Sequence, residues 1–218
     1  MTDFARARRT MVDCQIRPND VTESRVVDAF LAVPREAFVP ADKQVLAYLD
    51  ADIALGQGKP ARHLIQPMIL AKLVQAAKVL PTDSVLDVGA TIGYSSAVLA
   101  ELAAKVVALE CDVDLAAQAR SALASYANVA VVTGALEKGA VESGPYDVII
   151  LQGSVEEIPE QLFASLREGG RLVAVAGHGR AGRATVFVRV GNDFSGRIAF
   201  DAALPPLPGF ARTPVFTF

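Results

Sequence analysis

The sequence has no tryptophan, two cysteines, two histidines and no apolar run long enough to cross a membrane, and each shortage removes a class of function. Cys14 and Cys111 lie far apart with no CxxC or CxxCH spacing, so neither a disulfide framework nor a zinc site is expected, and both read as plain apolar residues. The apolar stretches at 106–109, 129–132, 148–151 and 172–176 are each broken after a few residues by Gly, Asp, Glu or Arg. A bilayer needs ~20 apolar residues in succession, so these short runs read as buried strands. Net charge is −3 and the basic residues cluster only at Arg6, Arg8 and Arg9, so the electrostatic footprint of a nucleic-acid binder is missing. The basic N-terminus is not followed by the apolar stretch and small-residue cleavage site of a secretory signal, and the chain is expected to stay in the cytoplasm.

What is present is a large apolar fraction, 52% of 218 residues, enough for one generous core without disulfide or metal staples. The expected organisation is a single domain over 1–218, with a helical, substrate-side extension over 1–80 and a sheet that binds a cofactor over 81–218. From about residue 84 onward, short β-branched runs alternate with helical patterns, the mark of βαβ units building a parallel sheet. Seven strands are predicted, at 85–88, 105–110, 129–133, 146–151, 171–176, 185–190 and 197–202. Leu115, Ala119, Ala122, Leu123 and Tyr126 recur at helical spacing between the second and third. Ile158, Leu162, Phe163 and Leu166 do so between the fourth and fifth. After the fifth strand the helices stop, and the glycine-rich segment 177–183 leads directly into two more strands, so that end of the sheet should turn antiparallel. In the extension, Val26, Val27, Phe30 and Leu31 form an amphipathic helix, with Asp20 and Glu23 placed as a capping box.

The informative stretch is Val85-Leu86-Asp87-Val88-Gly89-Ala90-Thr91-Ile92-Gly93-Tyr94, a strand that runs into a turn and then a helix starting near Ser95. In open α/β sheets, ligands bind at the carboxyl ends of strands where the strand order reverses. Gly89 and Gly93 permit a tight turn and a close backbone approach, and the following helix offers free N–H groups. About twenty positions after Gly89 the second strand ends in Glu110, whose carboxylate can accept hydrogen bonds from the hydroxyls of a ribose. That pairing suits a dinucleotide or S-adenosylmethionine. Asp87 and Glu110 could also be strand-end caps with no ligand. The dinucleotide fingerprint G-x-G-x-x-G is incomplete here, and an acid two before the first glycine favours S-adenosylmethionine, whose cationic head it can help position.

Further segments resemble the protein-L-isoaspartate O-methyltransferase family. Val33-Pro34-Arg35-Glu36-Ala37-Phe38-Val39-Pro40 looks like its VPR-x-x-FVP, Ala47-Tyr48 with Asp50 like its AY-x-D, and Gln66-Pro67 like the end of its SQP. Ala97-Val98-Leu99-Ala100 resembles the helix after its glycine loop, Glu156-Glu157-Ile158-Pro159 its EEIP, and Gly169-Gly170-Arg171-Leu172-Val173 its GG-x-LV. In order and spacing the matches cover most of 10–205. The resemblance implies a Rossmann-like S-adenosylmethionine-dependent methyltransferase fold, α/β, with a seven-stranded, mostly parallel sheet and an antiparallel end. It implies S-adenosyl-L-methionine as cofactor, protein or peptide substrates bearing isoaspartyl carboxylates, and methylation of that α-carboxylate as a first step of repair. A carboxylate with an ordinary pKa of about 3.9 is already the nucleophile at neutral pH, so the absence of a Cys–His pair or a carboxylate dyad agrees with carboxyl transfer.

The departures from the family pattern fall in the site. Its glycine loop, roughly G-T-G-S-G, reads Gly89-Ala90-Thr91-Ile92-Gly93 here and crowds the turn with a β-branched Thr91. The serine before Gln-Pro is Ile65. The G-D-G after the third strand is Gly134-Ala135-Leu136, which removes a carboxylate that would hold the adenine amino group, a loss of about 0.5–1.5 kcal/mol for one hydrogen bond. Such a chain is a methyltransferase of isoaspartyl carboxylates, a methyltransferase with another acceptor, or a divergent member acting as a binding protein. The cofactor-side residues are Asp87, Gly89, Ala90, Thr91, Gly93, Glu110, Gly134, Ala135 and Leu136. The substrate-side candidates are Arg62, His63, Ile65 and Gln66, with loop residues that merely face solvent as the plainer reading. The proline-rich run 205–210 is expected to pack, extended, over the sheet, and Val215-Phe216-Thr217-Phe218 to add an edge strand or a dimer contact.

Overall fold

The computed structural model describes residues 3–56, 58, 61–177, 179–191 and 193–212. The proposed C-terminal edge strand at 215–218 and the middle of the 177–183 turn, at His178, lie outside them. The N-terminal part carries helix α1 (Phe4–Met11), α2 (Ser24–Ala32), a small antiparallel pair β1 (Ile53–Leu55) and β2 (Arg62–Leu64), and α3 (Pro67–Ala77). Then follow β3 (Ser84–Val88), α4 (Tyr94–Ala100), β4 (Lys105–Glu110), α5 (Val113–Ala122), β5 (Val129–Thr133), β6 (Tyr146–Val155), α6 (Glu160–Ala164), β7 (Leu166–Ala176), β8 (Arg183–Val190) and β9 (Asp193–Asp201). All seven expected strands form, several of them longer than the sequence pattern alone defined.

The seven strands make one sheet in the order β5-β4-β3-β6-β7-β8-β9. Pairing is parallel from β5 to β7 and antiparallel from β7 to β9. Crossover helices explain the parallel part: strands covered on both faces must be apolar throughout, and every residue of β3 after Ser84, and every residue of β4 after Lys105, is buried. The antiparallel end needs no crossover and faces water, so β9 is mostly exposed. Two apolar clusters pack on opposite faces of the sheet. One joins α1, α2, α3 and α4 to Val85, Val106 and Val148, and the other joins α6 and the C-terminal Leu207 and Phe210 to Leu86, Val107 and Leu172. Among the described residues, no helix is long and apolar enough to cross a membrane.

The capping box expected at α2 does not form. Glu23 is the N-cap residue but its side chain caps nothing, and Asp20 sits in the left-handed region with φ 64°. A neighbour supplies the cap instead: Gln75 Oε1 of α3 accepts from Thr22 N at 2.7 Å and Glu23 N at 3.0 Å, and its Nε2 donates to Asp20 O at 2.8 Å. A glutamine that satisfies three main-chain groups at once ties α2 to α3, which local spacing could not reveal.

The strand order reverses at β3, which has β4 on one side and β6 on the other. The carboxyl ends of these three strands form a crest, and the residues singled out from the sequence converge there.

Candidate cofactor site at the crest of the sheet

The turn after β3 is built as the sequence suggests. Gly89 and Gly93 adopt φ 85° and 99°, values that L side chains avoid, and the amides of Gly89 and Ala90 both donate to Leu109 O, at 2.8 and 3.1 Å. Thr91 also takes a positive φ, 54°, uncommon for a β-branched residue. That conformation aims its amide at Glu110 Oε2, 2.8 Å away. Ile92 is buried in the first apolar cluster and lines a cavity with Ala37, Val39 and Pro40.

Glu110 ends β4 fully buried. Its Oε1 accepts from Cys111 N at 2.9 Å and Asp112 N at 3.0 Å, and Oε2 from Thr91 N. The remaining partner comes from the β1–β2 hairpin: Arg62 Nε lies 3.0 Å from Oε1 and Nη2 3.1 Å from Oε2, a fork-to-fork ion pair with both side chains buried. Burial opposes the charge on Glu110, but Arg62 and the surrounding amides outweigh it and hold the carboxyl below its ordinary value. The sequence placed Arg62 on the substrate side. Here its guanidinium lies on Glu110, the expected ribose acid.

Asp87 is also buried, and its charge is met differently. Oδ2 accepts from Ser95 Oγ and Ser96 Oγ, each at 2.6 Å, and Oδ1 from Gln152 Nε2 at 2.7 Å. Burial nevertheless pushes its carboxyl above the usual range, aided by the nearby charge of Glu110. Asp87 therefore ties the first turn of α4 to β6. Gln152 Oε1 is buried without a hydrogen-bond partner among the described residues.

The other candidates divide. His63 follows Arg62 on β2 and so faces the opposite side of the strand, with its Nδ1 buried and unpaired among the described residues. Ile65 is buried in the core, and Gln66, the N-cap residue of α3, donates its amide to Asp52 Oδ1 at 2.9 Å. Ile65 joins the VPR segment: Arg35, fully buried, donates to Ala47 O at 2.7 Å and Ile65 O at 2.8 Å and lies 4.7 Å over the Tyr94 ring. After β5, the Gly134 amide donates to Glu110 O at 3.0 Å, Ala135 opens a short 3-10 turn, and Leu136 is buried in the second cluster. Gly134 and Ala135 line a cavity of about 430 Å³ with Leu109, Lys138 and Glu142.

Sequence reasoning missed Ser95, Ser96 and Gln152, although paired serines at the start of a helix facing a strand-end acid are a usable signal. It also missed the position of Leu207. The run is extended over 205–207, where Pro206 pairs with Ser154, Ser154 N donates to Pro205 O, and Leu207 N donates to Ser154 O, both at 2.9 Å, and it then turns at Pro208–Gly209 rather than staying extended to 210. It thereby carries the Leu207 side chain onto the crest. A Cβ added at Gly89 would meet Leu207 Cδ2 at 2.9 Å and Arg62 Nη2 at 2.6 Å, and one at Gly153 would meet Leu207 Cγ at 2.7 Å.

An open sheet that reverses at a glycine turn, with an acid ending the next strand and an antiparallel end, is the Rossmann-like methyltransferase architecture. The chain belongs to the protein-L-isoaspartate(D-aspartate) O-methyltransferase family, whose model matches residues 6–201. It is 38% identical over 179 residues to the protein-L-isoaspartate O-methyltransferase of Koribacter versatilis, covering 81% of this chain and 79% of that one. With the enzyme of the same name from Roseiflexus castenholzii it shares 35% identity over 209 residues, 95% of this chain and 94% of the relative. A solved protein-L-isoaspartate O-methyltransferase superposes with a TM-score of 0.82 at 24% identity, covering 93% of this chain and 66% of that one. One from Plasmodium falciparum in complex with S-adenosyl-L-homocysteine gives 0.75 at 17%, covering 94% and 98%, a likeness of fold.

Proposed function

We propose that the protein is an S-adenosylmethionine-dependent protein carboxyl O-methyltransferase that acts on isoaspartyl residues of proteins and peptides. The observation that carries this reading is the family match across 6–201, joined to Glu110 at the end of β4, fixed by three main-chain amides. In this reading Gly89, Ala90, Thr91, Gly93 and Glu110 hold the nucleoside end of the cofactor, the loop at Gly134, Ala135 and Leu136 borders the adenine, and Asp87 acts by bracing the turn. His63 and Gln66 lie on the substrate side, with Ile65 in place of a hydroxyl.

The residues match S-adenosylmethionine in kind, but the cradle does not fit it as it stands here. Glu110 has no acceptor site left and Arg62 and Leu207 fill the space over Gly89 and Gly153. The chemistry asked of the chain is modest in any case. An isoaspartyl α-carboxylate is ionised at neutral pH and needs no general base, so what the protein must supply is orientation and the exclusion of water.

The direct test is transfer of a radioactive methyl group from labelled cofactor to an isoaspartyl peptide, with the aspartyl peptide of the same sequence as control. Incorporation into the first alone, released as methanol by mild base, is the expected result. Folded protein that transfers to neither peptide would overturn the reading.

A further inference from the structure

We infer that this structure is a latched form of the protein, in which Arg62 and Leu207 occupy the cofactor cradle and must leave before a nucleoside can bind. The inference rests on the crest being the cofactor site and concerns what controls access to it.

Hydrogen-bond capacity is the first argument. An ionised carboxylate offers about four acceptor sites, and Glu110 already accepts from five N–H donors: Arg62 twice, Thr91, Cys111 and Asp112. A ribose hydroxyl has nowhere to donate. Withdrawing Arg62 leaves three main-chain amides and the Cys111 thiol, of which only the Thr91 amide is on Oε2, and restores room on that oxygen for a hydroxyl. The guanidinium fork therefore stands where a diol would, making the same two-point contact.

Space is the second argument. Glycines at a crest matter because a ligand can approach their backbone closely, yet the approach to Gly89 is taken by Arg62 Nη2 and Leu207 Cδ2, and that to Gly153 by Leu207 Cγ and Pro205 O. Both blocking groups are carried on peripheral segments. Arg62 begins β2, the second strand of a two-stranded ribbon that among the described residues pairs with no other strand, and Leu207 rides on a strap that meets the main sheet in an isolated bridge at Ser154. Further along, Phe210 O accepts from Glu156 N at 3.1 Å and Glu157 N at 3.2 Å, so the strap is anchored beyond Leu207 and can lift between its ends. By contrast, the glycine turn and Glu110 are held by the sheet itself and would not need to move.

A latch that keeps the open form to a tenth of the population weakens apparent affinity roughly tenfold. Calorimetric titration of S-adenosylhomocysteine into the full chain, Arg62→Ala, Leu207→Ala and the double variant reads this directly, with circular dichroism and melting curves checking that each is folded. Each single variant is expected to bind several-fold more tightly than the parent, and the double variant to approach the full gain of about tenfold. Leu207→Ala keeps the ion pair, so it tests the latch even if Arg62→Ala fails to fold. Equal affinity of parent and variants overturns the latch, and so does silence from all of them. The methyl-transfer assay on the parent separates the two readings: transfer by the parent with unchanged affinities in the variants sinks the latch alone, whereas absence of transfer in every form sinks the activity.

Discussion

Asp87 and Glu110 lie at the carboxyl ends of the neighbouring parallel strands β3 and β4 and are both fully buried, yet their charges are met in opposite ways. Asp87 is held by neutral groups, two of them, Ser95 and Ser96, on the helix that its own strand leads into. Glu110 is held by a cation borrowed from a hairpin 48 positions earlier in the chain, and by main-chain amides around it. The difference separates framework from function: partners that cannot relocate make a structural acid, and a partner on a detachable ribbon makes an acid that can change hands.

The sharpest way to break the comparison is to remove each acid in turn. Asp87→Ala strands two hydroxyls and an amide at fixed buried positions, each costing about 1–3 kcal/mol. A loss of roughly 4 kcal/mol is expected, or a fall in Tm of about 10 °C by thermal denaturation. Glu110→Ala leaves a buried guanidinium without its counter-charge, at a cost of about 3 kcal/mol. The loss is smaller than for Asp87 because the hairpin can carry Arg62 toward water and the Cys111 and Asp112 amides, only partly buried, can be reached by water. Arg62→Ala should cost only about 1 kcal/mol, since three amides still serve Glu110. If Arg62→Ala proved as damaging as Glu110→Ala, the view of Arg62 as a removable partner would fail.

The two acids should also give pH slopes of opposite sign, each bounded at about 1.4 kcal/mol per pH unit for one proton. Glu110 has a lowered carboxyl value when folded. Its stabilisation is complete above the ordinary glutamate range near pH ~4.3 and is lost as pH falls through the lower folded value. Asp87 has a raised value. The folded chain therefore keeps its proton after the unfolded chain has released it, so stability declines as pH rises from about 3.9 through the folded value and is level beyond it. Urea denaturation across this range should show Glu110→Gln flattening the acid-side loss and Asp87→Asn flattening the decline above it. Identical profiles for both variants would erase the distinction.

Much of this was legible in the sequence. The parallel strands are uninterrupted apolar runs, the antiparallel end follows from a missing helix, and the glycine turn and distant acid are local patterns. The extended part of the strap, 205–207, could be read from its prolines, but not the turn that follows at 208–209. What could not be read is which side chains meet across the crest. Arg62 lies on a three-residue strand too short to carry a periodic signal, and Leu207 is one leucine among prolines, so nothing local marks either as a lid. The capping box failed for the same reason: spacing offered Asp20 and Glu23, and a glutamine 52 positions from Glu23 took the role. Local chemistry reported the elements; long-range packing decided their partners.

Thr91 offers the smallest and most specific test, because it belongs to the Glu110 side alone. Its positive φ aims the amide at Oε2, and holding an L residue there costs roughly 1–2 kcal/mol that glycine would not incur. Thr91→Gly keeps the N–H donor and removes that strain, while glycine's greater freedom in the unfolded chain takes back about 0.5–1 kcal/mol. A net gain of about 0.5 kcal/mol follows, a rise in Tm of one or two degrees at most. The gain appears only while Glu110 is there to receive the amide, so the same substitution in a Glu110→Ala background should stabilise by a different amount in a double-mutant cycle. Additivity of the two changes would mean that the Thr91 conformation serves the turn by itself and owes nothing to the acid.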